Sequence, residues 1–193
     1  DCTAEEAAAW YFEYCSRERQ NTGQASGDLA RIQIRQAEGK ANEMIFATVK
    51  TMPFPLKNRE FVGISTIFTN PDTKCVQVFV MPDNQVVDYG GTFKSLVRGK
   101  VFAIFTARNI VSLGEVAQCK ISLKQSVDAG GFVPRKVVDR KIPQSLKLVS
   151  ELQHAFKRDE DVDRAALASL ANTMMNEQQH YTKEEEEAIR KGR

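Results

Sequence analysis

Few residues in this chain have scope for nucleophilic, acid–base or metal chemistry. There are two histidines, His154 and His180, and four cysteines, Cys2, Cys15, Cys75 and Cys119. None of the cysteines forms a Cys-x-x-Cys pair, so neither a zinc site nor a disulfide framework is read from the spacing, and no metal or cofactor is expected. Cys75 and Cys119 sit in apolar, strand-like runs and are expected as buried free thiols, since free cysteine is usually a small core residue. No Ser/His/Asp or Cys/His arrangement is legible, and two histidines leave little room for proton transfer. The glycine pairs in "YGG" and "AGG" lack the context of a phosphate-binding loop. His154 falls near the end of a helical pattern, where a solvated, dipole-favoured cation is the ordinary role. No catalysis is expected.

The remaining chemistry is that of binding. In "EFVGISTIFTN" side chains alternate faces, so Phe61, Gly63, Ser65 and Ile67 form one row. Gly63 leaves space in that row and Ser65 offers one hydroxyl. Met44, Phe46 and Thr48 of "EMIFATVKT" form a similar row. Both rows fit an ordinary core as well as a ligand wall. Arg59 and Glu60, just ahead, are read as the rim of a strand, pairing structurally.

These rows need elements to hold them. The chain has 193 residues, 42% hydrophobic and 27% charged, enough for one domain with a core. A net charge of +2 without a long basic block gives no field for nucleic acid, and no nucleic-acid partner is expected. No apolar run approaches a membrane span and no secretory signal opens the chain. A reducing, cytoplasmic setting is the expectation. The opening "DCTAEEAAAWYFEYC" reads as a start inside a larger protein.

Thr3 and Glu6 form a capping box ahead of a helix over 4–19. "DLARIQIRQ", alternating over Leu29, Ile32 and Ile34, and "EMIFATVKT" form a hairpin around a polar turn at Glu38–Asn42. "EFVGISTIFT" and "CVQVFVM" pair across "NPDTK". "VVDYG" leads to a turn, and "KSLVRGKVFAIFTARN" and "AQCKISLKQSV" give further strands, for six or seven in all. Then Pro134 opens a helix in which Val138, Ile142, Leu146, Val149, Leu152 and Phe156 recur at helical spacing through Pro143. A weaker helix over 161–178 follows, and Thr182 with Glu185 caps a last one. Helix, meander and long helix make an α+β, helix-grip order: a curved antiparallel sheet wrapped around a C-terminal helix, with space between them.

"PFPLKNREFV" resembles the Pro-x-x-x-x-x-Arg-Asp-Phe-Val signature of START domains, the steroidogenic-acute-regulatory-related lipid transfer family, with Glu60 in place of Asp. "TAEEAAAWYFEYCSR" is similar to an early helix of that family, and "SVDAGGFVPRKVVDRKIPQSLKLVSELQ" to its closing turn and lid helix. The resemblance covers residues 1–157. Residues 158–193 are expected as a helical linker or the start of a following domain. The family's first helix and strands have no counterpart here, so an exposed or otherwise completed sheet edge is expected.

The resemblance implies non-catalytic binding, transfer or sensing of one lipid, a phospholipid, sterol or similar, in an apolar tunnel. Met44, Phe46, Thr48, Phe61, Gly63, Ser65 and Ile67 would line it. Val137, Val138, Ile142 and Leu146 would form the lid. Arg135, Lys136, Arg140 and Lys141 would meet anionic headgroups in transient peripheral membrane contact. Other domains of the same chain are the further partners. Sterol-binding relatives carry an acid and an arginine in the tunnel; those positions fall on Phe46 and Ser65, which favours apolar recognition. An alternative is a structural or protein-interaction domain whose tunnel is filled by Phe46, Phe79, Phe102 and Phe105. A third reading, an enzyme on the related birch-pollen-allergen-like fold, lacks catalytic groups.

Overall fold

A computed structural model describes residues 1–35, 40–93, 95–176 and 182–192. Helix α1 spans Ala4–Phe12 and α2 spans Arg17–Ala25. Thr3 caps α1 as expected: its hydroxyl accepts from the Glu6 amide at 3.1 Å, and its own amide donates to the Glu6 carboxylate at 2.8 Å. The single helix expected over 4–19 is two helices. Arg19 explains the division. Its guanidinium donates to the carbonyls of Trp10, Tyr11 and Glu13 at 3.1, 2.7 and 3.0 Å. It thus satisfies acceptors that a helix end leaves open. Ser16 restarts the helix, accepting from the Arg19 amide. The small residues Ala4, Ala7 and Ala8 let α1 lie flat on the sheet and are fully buried.

Six strands follow: β1 Asp28–Arg35, β2 Glu43–Lys50, β3 Arg59–Thr69, β4 Val76–Pro82, β5 Val97–Leu113 and β6 Val116–Asp128. They form one sheet in chain order, with antiparallel neighbours throughout. Past the end of β4 the sheet closes on itself, and Arg59–Phe61 of β3 pair in parallel with Val97–Gly99 of β5. The turn "NPDTK" is held by Asn70, whose side-chain oxygen accepts from the amides of Asp72 and Thr73. The turn expected at Glu38–Asn42 lies partly outside the described residues.

"VVDYG" is not a strand. Val87 and Tyr89 instead cover the outer face of the sheet over Ile45, Ala47 and Val62. The Tyr89 hydroxyl donates to Glu60 at 2.9 Å, and Arg98 pairs with Glu60 at 3.1 Å. The expected Arg59–Glu60 pair does not form, because successive strand residues point to opposite faces.

Helix α3, Arg135–Ala155, runs without interruption through Pro143. It meets β6 and α1, and its Leu152 joins the core with Phe105 and Val78. Helix α4, Asp159–Asn176, buries no residue. It touches the β5–β6 turn through Ala165, which sits against Gly114. Helix α5, Lys183–Lys191, starts at the expected Thr182–Glu185 capping box.

The cysteine expectation changes. Cys75 and Cys119 are half-buried, and the buried thiol is Cys2, whose Sγ lies 3.7 Å from that of Cys119. Burial and this neighbour push the Cys2 thiol up to about 12.

Candidate functional site: an open-sided cavity with a cationic end

Ahead of Leu152, α3 stands off the concave face of the sheet. A cavity of about 790 Å³ lies between them. Strand pairing explains its floor. Thr48 lies opposite Phe61, Phe46 opposite Gly63, and Met44 opposite Ser65. Of these, Met44, Phe46, Thr48, Phe61 and Ser65 line the cavity, together with Val80, Val101 and Ala103 from β4 and β5.

Two predicted residues stand outside the lining. The space left by Gly63 is taken by the Phe46 ring, which lies 2.8 Å from where a Cβ would be. Ile67 packs against the core under α1. Ser65 is buried, yet its hydroxyl makes no hydrogen bond to the described residues and is not sealed off; it fronts the cavity.

Val137, Val138, Ile142 and Leu146 of α3 form the opposite wall. The wall is not shut: Val138, Ile142 and Leu146 are 40%, 50% and 49% exposed. Lys141 also lines the space, whereas Arg135, Lys136 and Arg140 point outward and are exposed. Of the four phenylalanines that the alternative reading places in a filled tunnel, two face inward and two do not. Phe46 and Phe105 face inward, with Phe105 stacked on Tyr11 at 4.5 Å. Phe79 stacks on Phe68 at 5.0 Å on the outer face, and Phe102 is exposed there.

One end of the cavity is polar. Asp28 opens β1 beside the last residue of β2, Lys50, which in turn lies opposite Arg59 of β3. The Asp28 carboxylate takes Lys50 at 2.5 Å and Arg31 at 3.0 Å. Among the described residues Arg59 has no carboxylate partner. It donates to the carbonyls of Lys57, Ala129 and Gly130, tying the β2–β3 loop to the loop ahead of α3. Arg31 lies 3.7 Å from the Tyr14 ring centre, and Arg19 stacks near Trp10, Tyr11 and Tyr14. Burial, with Arg31 nearby, pulls the Arg19 guanidinium down to about 10. Burial pushes the Tyr11 phenol up to about 12.

Sequence reasoning missed this end. It read β1 as alternating over Leu29, Ile32 and Ile34, but Leu29 and Ile34 are exposed. A bulge between Asp28 and Ala30 shifts the phase, and Arg31 and Gln33 face inward. The Gln33 side chain accepts from the amides of Tyr14 and Cys15, holding the α1–α2 junction.

Among the described residues no group of three His, Cys, Asp or Glu could hold a metal ion, and no helix is long and apolar enough to cross a membrane. His154 is exposed in the last turn of α3. His180 lies outside the described residues.

No protein-family model and no curated protein matches the chain. Among the solved structures similar to it are the following two. The crystal structure of human STARD10 matches at 17% identity and a TM-score of 0.53, covering 91% of this chain and 63% of that one. The STAR-related lipid transfer protein from Xanthomonas axonopodis matches at 16% identity and a TM-score of 0.46, covering 73% of this chain and 71% of that one. This chain thus spans less than two thirds of the human relative's length. An α+β helix-grip, with one curved six-stranded sheet facing a long C-terminal helix, is the fold of a START-like domain.

Proposed function

We propose that the protein binds a single lipid, non-covalently, in the cavity between sheet and α3, and carries or senses it without catalysis. The observation that carries this reading is the apolar stripe of α3. Val138, Ile142 and Leu146 are half exposed, and they face apolar strand residues across about 790 Å³ of unfilled space. Two apolar walls held apart in water are unfavourable. A lipid tail between them would remove both from solvent, contributing about 25 cal/mol per Å² buried. The volume is in the usual range of small-molecule sites.

Peripheral membrane contact belongs to the same reading. Phe54 and Phe132 are 98% and 85% exposed. They stand in the two loops that Arg59 ties together, beside the cavity's polar end. Lys57, Arg135, Lys136 and Arg140 flank them in the sequence. Exposed aromatic residues among cations suit the boundary between headgroups and acyl chains.

The test is native mass spectrometry of delipidated protein after incubation with mixed-lipid vesicles. One lipid retained per chain is the expected result. Protein that emerges bare from broad mixtures would sink the proposal.

A further inference from the structure

We propose that the lipid taken up carries an anionic headgroup without a compensating cation, a phosphate monoester or carboxylate, and that Lys50, Arg59 and Arg31 receive it. This inference rests on the lipid-binding reading and names the ligand class of the same cavity. Among the described lining residues there are five cations, Arg19, Arg31, Lys50, Arg59 and Lys141, against three carboxylates, Asp28, Asp128 and Glu151. The cations are concentrated. Lys50 and Arg31 share the one Asp28 carboxylate, and Arg59 is 3% exposed with only backbone carbonyls as partners. Asp128 accepts from the Gly130 amide at 2.9 Å, and Glu151 lies towards Arg19. A concave, low-dielectric wall with an excess of one sign concentrates the opposite charge.

The same residues disfavour the alternatives. A choline-type headgroup needs a free carboxylate or an aromatic face for its quaternary ammonium. Asp28 is already paired twice, and the faces of Trp10, Tyr11 and Tyr14 are taken by Arg19 and Arg31. A sterol hydroxyl would leave the excess cations unanswered. The geometry also fits a headgroup at this end only. From Arg59 to Ser65 the strand advances six residues, roughly 20 Å at the strand rise. Over that length the wall changes from Lys50 and Arg59, through Arg31 level with Thr48 and Phe61, to Phe46, Met44, Ser65 and Val80, so the charge is towards one end and the tail towards the other.

The experiment uses the full chain. Delipidated protein is incubated with vesicles of equal parts phosphatidylcholine, phosphatidic acid and cholesterol, repurified, and its retained lipid quantified by mass spectrometry. Phosphatidic acid should be enriched about tenfold over phosphatidylcholine, the size expected of charge-assisted hydrogen bonds. Lys50→Gln should abolish most of that enrichment, and Lys50→Arg should restore it. Near-UV circular dichroism checks that the variants fold, and Arg31→Gln repeats the test if Lys50→Gln does not. Retention of phosphatidylcholine or cholesterol in preference overturns the anionic assignment and leaves the lipid reading standing. No retained lipid removes both. Enrichment unchanged in Lys50→Gln overturns the placement of the headgroup. Inorganic phosphate is the control arm. If it alone blocks phosphatidic acid uptake and stabilises the protein as much, the site is one for a free anion and the proposal fails.

Discussion

At the scale of single residues, the inner face is built by exchanges between neighbours. Gly63 is small because Phe46 uses its space, and the Met81 carbonyl lies 2.5 Å from where a Cβ would stand. Gly63→Ala therefore forces two neighbours apart, one of them backbone. The expected loss is about 1–3 kcal/mol, the usual size of overpacking, read as a lower urea midpoint with an unchanged slope. A midpoint equal to wild type would show that the ring and strand move freely. Tyr11 supplies a prediction in pH. Its phenol is raised from the ordinary 10 to about 12 by burial. Its contribution is therefore present below pH 10 and lost as pH climbs from 10 through about 12. The Cys2 thiol, also raised to about 12, acts in the same direction. Comparing Tyr11→Phe with wild type isolates the phenol: the variant should lose stability less steeply between pH 10 and 12 by urea titration. Parallel profiles would contradict this assignment.

At the scale of elements, α3 has two unlike parts. Its final turns are anchored, with Leu152 only 4% exposed, whereas Leu146 is 49% exposed and faces the cavity. Leu152→Ala should cost about 2–5 kcal/mol of stability. Leu146→Ala should stay within about 0.5 kcal/mol while lowering lipid retention. Equal losses from the two would mean that the whole helix is packed. The stripe itself was legible from 3-4 spacing, as were both capping boxes and the three hairpins, because each rests on partners a few residues away. What escaped the sequence depends on distant partners. The α1–α2 division follows from where the Arg19 guanidinium lands. The short parallel contact of β3 with β5 needs β4 to end first. Arg59 was read as a rim residue, but its partner Ala129 is 70 positions away. The apolar lining of the cavity on β2 and β3 was visible as alternation, apart from Gly63 and Ile67, which do not line it. The cationic half was not, since a bulge in β1 changes which side chains face inward.

At the scale of the molecule, the proposed function makes stability depend on occupancy of the cavity. A ligand that binds only the folded chain adds RT ln(1 + [L]/Kd), about 2.7 kcal/mol at a hundredfold excess over Kd. For a chain of this size that corresponds to a rise in Tm of roughly 5–10 °C. The loops bearing Phe54 and Phe132 leave both rings in solvent, and under the proposed function they act on entry and not on the bound state. The double variant Phe54→Ser, Phe132→Ser should therefore match wild type in Tm when empty and when fully loaded. Its uptake from vesicles should be at least tenfold slower, because two aromatic side chains no longer enter the interface. A time course of Tm after vesicle addition separates these outcomes in one experiment. Wild type and variant should reach the same plateau at different rates. A lower plateau in the variant would place the phenylalanines against the bound lipid, and equal rates would remove the two loops from the membrane encounter.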